Sequence, residues 1–141
     1  MINKFEGKYR FLSNFYEHPV TVDNLTYRNS EAAFHAGKTI YKEQFTNLSA
    51  SDAKKLGRRI NMRYDWDEVK DLWMFHVLMC KFSDPELKQK LLDTGDEELV
   101  EGNTWHDNYW GSCTCQTCKN LGKNKLGHLL MIIRSELEKE N

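Results

Sequence analysis

The segment Val20-Thr21-Val22-Asp23-Asn24-Leu25-Thr26-Tyr27 constrains this chain more than any other. Apolar residues alternate on either side of Asp23-Asn24, a turn-forming pair, and the pattern predicts a β-hairpin within an extended stretch over residues 9–28. Beyond it the apolar spacing becomes helical. Asn29 or Ser30 caps a helix to about Lys38, built on Ala32, Ala33 and Ala36. Ser51 is expected to cap a short helix to about Arg59. Asp65-Trp66-Asp67-Glu68 has the form of a capping box, with Val69, Trp73, Val77 and Cys80 at helical spacing behind it. Pro85 opens a further helix closed by Gly95, and Leu99-Val100-Glu101 reads as a short strand. Leu126, Leu130, Ile133 and Leu137 make the apolar stripe of a last helix from about Asn124. A hairpin followed by helices, with one or two short strands between, is not a repeating βαβ pattern. The expected class is α+β: a helix-rich single domain over residues 1–141 with a small β-hairpin or sheet.

The balance of 20 basic and 21 acidic residues leaves a net charge of -1. That argues against non-specific duplex binding, which needs a basic surplus, but leaves room for a local phosphate pocket. No run reaches the roughly 20 apolar residues of a membrane helix. The opening Met-Ile-Asn-Lys-Phe-Glu lacks the apolar region of a secretion signal, so a cytoplasmic location is expected. Cysteines in that compartment are mostly thiols unless a metal holds them.

Six places could carry chemistry. Asn14 and Phe15 put an amide among aromatics in Phe11–Tyr16. Glu31 and His35 stand one turn apart on the predicted helix, with Lys38 near the same face; the alternatives are a functional site and a solvated helix face. In Trp105-His106-Asp107-Asn108-Tyr109-Trp110 two indoles could sandwich a base while Asp107 binds ribose hydroxyls. The alternative there is a packed aromatic corner in which Asp107 caps a turn. Arg58, within Lys54–Arg59, could give a phosphate bidentate contacts or be merely solvated. Backbone N–H groups of Gly122–Gly127 could receive a phosphate or a carbonyl. Cys113, Cys115 and Cys118 offer three soft ligands, and His106, His128 or Cys80 could provide a fourth, but none lies at a standard paired spacing. The expectation is therefore free loop thiols, with no metal and no cofactor.

Taken in order, Phe11–Tyr16, Ser30–Lys38, Lys55–Arg58, Arg63–Trp66, Lys81-Phe82, Leu99–Glu101, Trp105–Gly111 and Gly122–Arg134 resemble the NADAR (YbiA-like) family over almost the whole chain. The resemblance implies an N-glycosidase that hydrolyses a ribosyl C–N bond. The substrate would be ADP-ribosylated guanine, in nucleic acid or as a nucleotide, or a ribosylaminopyrimidine phosphate of the riboflavin pathway. It implies Glu31 as base or electrostatic stabiliser and Asp107 as ribose ligand or second carboxylate. Lys38 would be acid, phosphate partner or attacking amine. Asn14, Arg58 and Asn124 match polar positions of the family's pocket pattern, and Phe15, Trp105 and Trp110 are expected to contact substrate from their own place in the aromatic clusters. No membrane and no obligate protein partner are implied. Ser112–Leu121, which carries the cysteines, lengthens a loop relative to compact members. The competing readings are a non-catalytic ADP-ribose or nucleotide reader and a zinc-stabilised interaction module. Released base distinguishes an enzyme from a reader.

Overall fold

The computed structural model describes residues 1–140 and divides into two compact units. One is Asn14–Asp84; the other joins Met1–Ser13 to the chain from Pro85 onward.

In the Asn14–Asp84 unit, β1 (Glu17–Val22) pairs antiparallel with β2 (Leu25–Asn29), Val20 opposite Tyr27 and Val22 opposite Leu25. The connecting Asp23 and Asn24 both take positive φ, 51° and 74°, the twist a two-residue hairpin needs. The register slips between Glu17 and Val20, the interval that holds Pro19, which cannot donate to a ladder. Val20, Val22 and Tyr27 turn inward, and burial pushes the Tyr27 phenol up to about 12.

The next helix, α1 (Ser30–Ala36), starts where the Asn29 side chain accepts the Ala32 N–H at 2.8 Å. Ala32, Ala33 and Ala36 are fully buried, and their small side chains bring α2 (Ala50–Arg59) and α3 (Trp66–Lys81) close to α1. Trp73 of α3 donates its indole N–H to the carbonyls of Ala33 and Phe34, each at 3.1 Å, beside the Gly37 N–H that Phe34 also accepts at the end of α1.

Two expectations about helix starts are corrected here. Ser49, not Ser51, caps α2, accepting the Asp52 N–H at 3.1 Å; Ser51 lies exposed in the first turn. Asp65 forms no capping box, because its carboxylate takes the Arg63 guanidinium through two bonds of 2.5 and 2.9 Å. Along α3 the buried positions are Trp66, Met74, Val77, Leu78 and Lys81. Of the stripe expected from spacing, Val69, Trp73, Val77 and Cys80, only Val77 is buried.

In the second unit, residues Gly7–Leu12 form a 3-10 helix where extended chain was expected from residue 9. The adjacent Phe11 and Leu12 are both buried, which a strand's alternating faces would not allow. Pro85 does open α4 (Pro85–Leu92), and Gly95 follows with φ 63°. The strand expected at Leu99–Glu101 is displaced. Leu99 makes only a bridge to Ile2, and the true pair is β3 (Gly102–Asn103) parallel to β4 (Ser112–Cys113). Helix α5 (Lys125–Lys139) buries Leu126, Leu130, Ile133 and Leu137, as the spacing predicts, and packs on α4. The fold is helix-rich α+β. No described helix is long and apolar enough to cross a membrane.

Candidate functional site

Of the residues singled out by sequence, Asn14, Phe15, Glu31, Lys38 and Arg58 fall in the Asn14–Asp84 unit. Trp105, Asp107, Trp110 and Asn124 fall in the other.

Glu31 occupies the first turn of α1, where the helix dipole favours its anion. Its side chain is only 13% exposed, and Oε2 lies 2.9 Å from His35 Nε2. This is a shielded pair rather than a solvated helix face. His35 Nδ1 is buried, has no hydrogen-bond partner, and lies against α2 at Gly57, where an added Cβ would stand 2.3 Å from it. The tautomer this network selects places the proton on Nε2, donated to Glu31, because a proton on Nδ1 would be buried without an acceptor. The His35–Gly57 approach also sets how closely α1 and α2 pack.

Lys38, just past α1, is buried and donates its amine to the Gly57 carbonyl at 3.2 Å, with Nζ 5.9 Å from the Trp66 ring centroid. Burial holds its pKa below the ordinary lysine value. Glu31 opposes that shift, while Arg58 and Lys70 reinforce it. Arg58 itself is exposed in the last turn of α2. A cavity of about 510 Å³ beside Lys38 is lined by Ile40, Tyr41, Met62 and Tyr64, all exposed, together with Lys42 and Arg63.

Asn14 supports the start of α1. Its carbonyl accepts the Glu31 N–H at 3.0 Å, its side-chain oxygen accepts the Ser30 hydroxyl at 2.8 Å, and its amide donates to Met74 Sδ at 3.6 Å. Lys81, 2% exposed, donates to Ser30 Oγ at 3.4 Å. Sequence reasoning named Ser30 only as a candidate helix cap and Lys81 only within a family-matching segment, and gave neither a place in the site. The available signal was that Lys81 sits one turn after Val77, on the buried face of α3. Phe15 is half-buried, with Lys54 Nζ 5.9 Å from its ring centroid.

In the second unit, Asp107 Oδ1 accepts the N–H groups of Tyr109 at 3.1 Å and Trp110 at 3.0 Å, so Asp107 caps a turn. Asn103 holds the same turn, accepting from Trp105 N–H and Asp107 N–H and donating to the Asp107 carbonyl. Trp110 meets Tyr109 edge-on at 4.8 Å, whereas Trp105 is 59% exposed and lines a cavity of about 390 Å³ with Asn3, Asn124 and His128. Asn124 is buried, and its side chain joins the Glu101 N–H to the Leu99 carbonyl. The first N–H groups of α5 receive carbonyls, not an open anion site: Asn124, Lys125 and Leu126 donate to Gly111, Tyr109 and Trp110. Beside them, His106, Cys113, Cys115 and Cys118 bring one ligand atom each to within 4.8 Å of one another.

Helix α1 and the residue two past its end thus carry a shielded carboxylate–histidine pair and a buried lysine whose pKa burial lowers. Comparison with known proteins makes this particular. Residues 2–138 match the NADAR domain. The chain is 37% identical to "N-glycosidase YbiA" of Escherichia coli (strain K12) over 136 residues, covering 92% of this chain and 82% of that protein. The NMR structure of the E. coli protein YbiA superposes with a TM-score of 0.83 at 34% identity, covering 99% of this chain and 88% of that one. "Riboflavin biosynthesis protein VVA0006" of Vibrio vulnificus (strain YJ016) is 31% identical over 91% of this chain, which spans 35% of its length. The chain belongs to the NADAR family, and its enzyme class is hydrolase acting on N-glycosyl bonds.

Proposed function

We propose that the protein hydrolyses the bond between ribose C1′ and an amine nitrogen of a base in a phosphorylated riboside, with a ribosylaminopyrimidine phosphate as first substrate. The observation that carries this reading is the pair of groups at the two ends of α1: Glu31, a shielded carboxylate in its first turn, and Lys38 just past its end, an amine whose proton affinity burial has lowered. A lysine desolvated beside other cations is the kind that acts as a nucleophile near neutral pH. The nitrogen lone pair opens the sugar ring, forming a protonated C1′=N bond as the ring oxygen takes a proton from solvent. The neutral Lys38 amine adds to C1′, its proton passes to the base nitrogen, and the base departs as its free amine, leaving a protonated lysine imine. Water then adds to that imine, Glu31 accepting its proton and returning it to solvent, which releases the sugar aldehyde and restores the amine. Arg58 and Asn14 are proposed to contact substrate, Arg58 through phosphate. Support for the pyrimidine substrate comes from the name of the Vibrio relative.

A second substrate, ADP-ribosylated guanine, is favoured by the exposed aromatic rim of Tyr41 and Tyr64 on the cavity beside Lys38, which offers stacking faces to a longer ligand. Incubating the protein separately with ribosylaminopyrimidine phosphate and with ADP-ribosylated guanosine or DNA tests both. Free aminopyrimidine and ribose phosphate are expected from the first. Intact ligand retained in both reactions would make the protein a nucleotide reader and overturn the hydrolytic proposal.

A further inference from the structure

We propose that His106, Cys113, Cys115 and Cys118 hold one structural zinc ion that fixes the Trp105–Gly111 turn against the loop following β4. This departs from the expectation of free thiols and no metal, and it does not depend on the substrate proposed above.

The geometry excludes a hydrogen-bonded explanation. His106 Nδ1 lies 3.7 Å from Cys113 Sγ, 3.5 Å from Cys115 Sγ and 3.5 Å from Cys118 Sγ. One ring nitrogen has one proton or one lone pair, so it cannot serve three sulfurs at once. A tetrahedral zinc serves all three. Zinc–sulfur and zinc–nitrogen bonds of about 2.3 and 2.05 Å at the tetrahedral angle put nitrogen about 3.6 Å from every sulfur, which is the separation found. No two of these cysteines are joined in a disulfide.

The surrounding backbone is shaped to the same end. His106 adopts left-handed φ, 68°, a conformation uncommon outside glycine. Lys119 and Asn120 are also left-handed and turn the chain back, so that Asn120 N–H reaches the Cys113 carbonyl at 2.9 Å. The Cys118 N–H points at Cys115 Sγ, 3.3 Å away, the arrangement that supports a thiolate ligand. Cys113 is fully buried at the end of β4, tied by its N–H to Asn108 Oδ1 at 2.9 Å. Four protein ligands leave no position open, so this is a closed structural site, and three sulfurs with one imidazole are a donor set suited to zinc. Standard paired spacing is absent because the fourth ligand precedes the cysteines and comes from the preceding turn.

The test is metal content of the full chain, purified reduced and without chelator, by elemental mass spectrometry. One zinc per chain is expected, lost in both Cys118→Ser and His106→Ala. Replacement by cobalt should give the intense visible absorption of a tetrahedral thiolate site. Chelation should lower the melting temperature of the wild type, and zinc should restore it. Because uptake by the wild type requires no variant to fold, a reduced protein that fails to take up one equivalent of zinc overturns the proposal. So does zinc retained at one equivalent by both variants, or a metal-free native protein with a disulfide among the three cysteines.

Discussion

Glu31→Gln isolates the charge of the α1 carboxylate. Glutamine keeps the side-chain length, and its carbonyl can still accept the His35 Nε2–H that lies 2.9 Å from Glu31 Oε2. What changes is the anion. A charge-assisted hydrogen bond contributes about 1.5–3 kcal/mol and a neutral one about 0.5–1.5, so the exchange costs roughly 1 kcal/mol. Loss of a negative charge from the first helical turn adds about 0.3–1 kcal/mol. The total, about 1–2 kcal/mol, corresponds to a fall of about 3–8 °C in melting temperature for a chain of this size. The folded fraction at 25 °C is barely affected. The rate should respond on another scale: a base or charge stabiliser in the transition state contributes about 10²–10⁴-fold to kcat. The assay is kcat for base release alongside a thermal melt on the same preparation. A variant whose melting temperature falls as stated while kcat stays within about threefold of wild type would refute the reasoning. Glu31 would then serve only to hold His35 and the helix end.

Other expectations follow from the same geometry. Borohydride added during turnover should trap a sugar adduct on Lys38, and Lys38→Met should abolish both adduct and base release; turnover with no adduct would remove the amine-attack step. Because Lys38 has a lowered folded-state pKa, its unfolded chain binds the proton that the folded chain releases. Wild type should therefore gain stability over Lys38→Met as pH rises from the folded value towards 10.5, and parallel stability curves would contradict this. Gly57→Ala places a methyl 2.3 Å from His35 Nδ1, and the overpacking should cost about 1–3 kcal/mol while disturbing the Glu31 contact; unchanged melting and kcat would mean α2 shifts freely. Asp107→Ala leaves two turn N–H groups without their acceptor and should cost about 0.5–2 kcal/mol, whereas Asp107→Asn, which keeps Oδ1, should melt near wild type. With that stability preserved, the kcat of Asp107→Asn reads any chemical role of the carboxylate; equal destabilisation by both variants would argue against the cap.

What the sequence made legible is the part of the fold governed by period and by local turn chemistry. The hairpin was readable because alternation flanks two residues that tolerate positive φ, and α5 because four apolar residues recur over a long uninterrupted stretch. Errors arose where a side chain had a competing partner. Asp65 has the form of a cap, but Arg63 lies two residues away and claims both oxygens. Short parallel pairing was the least legible element, since β3 and β4 have two residues each, too few to carry a hydrophobic pattern.

The candidate site divides along the same physical line. Glu31 and His35 were visible because a helix converts sequence spacing directly into a shared face, whereas α1 ends at Ala36, short of Lys38, which the expected helix would have included. Their burial was not, because it depends on Gly57 and Trp66, which come from other helices. Lys81 shows the limit most clearly. Sequence places a lysine at the end of a helix, where it would ordinarily be solvated, and only the packing of Ser30 against Asn14 reveals a polar position for it in the core. His106 is the same case in a loop. Its spacing from Cys113 matches no paired metal motif, yet a left-handed backbone at one residue brings its ring among three sulfurs. Such sites are encoded by turns whose side chains bond to backbone several residues away, as Asn103, Asp107 and Asn108 do here. Reading them from sequence requires following the polar side chains of the turn as closely as the ligands themselves.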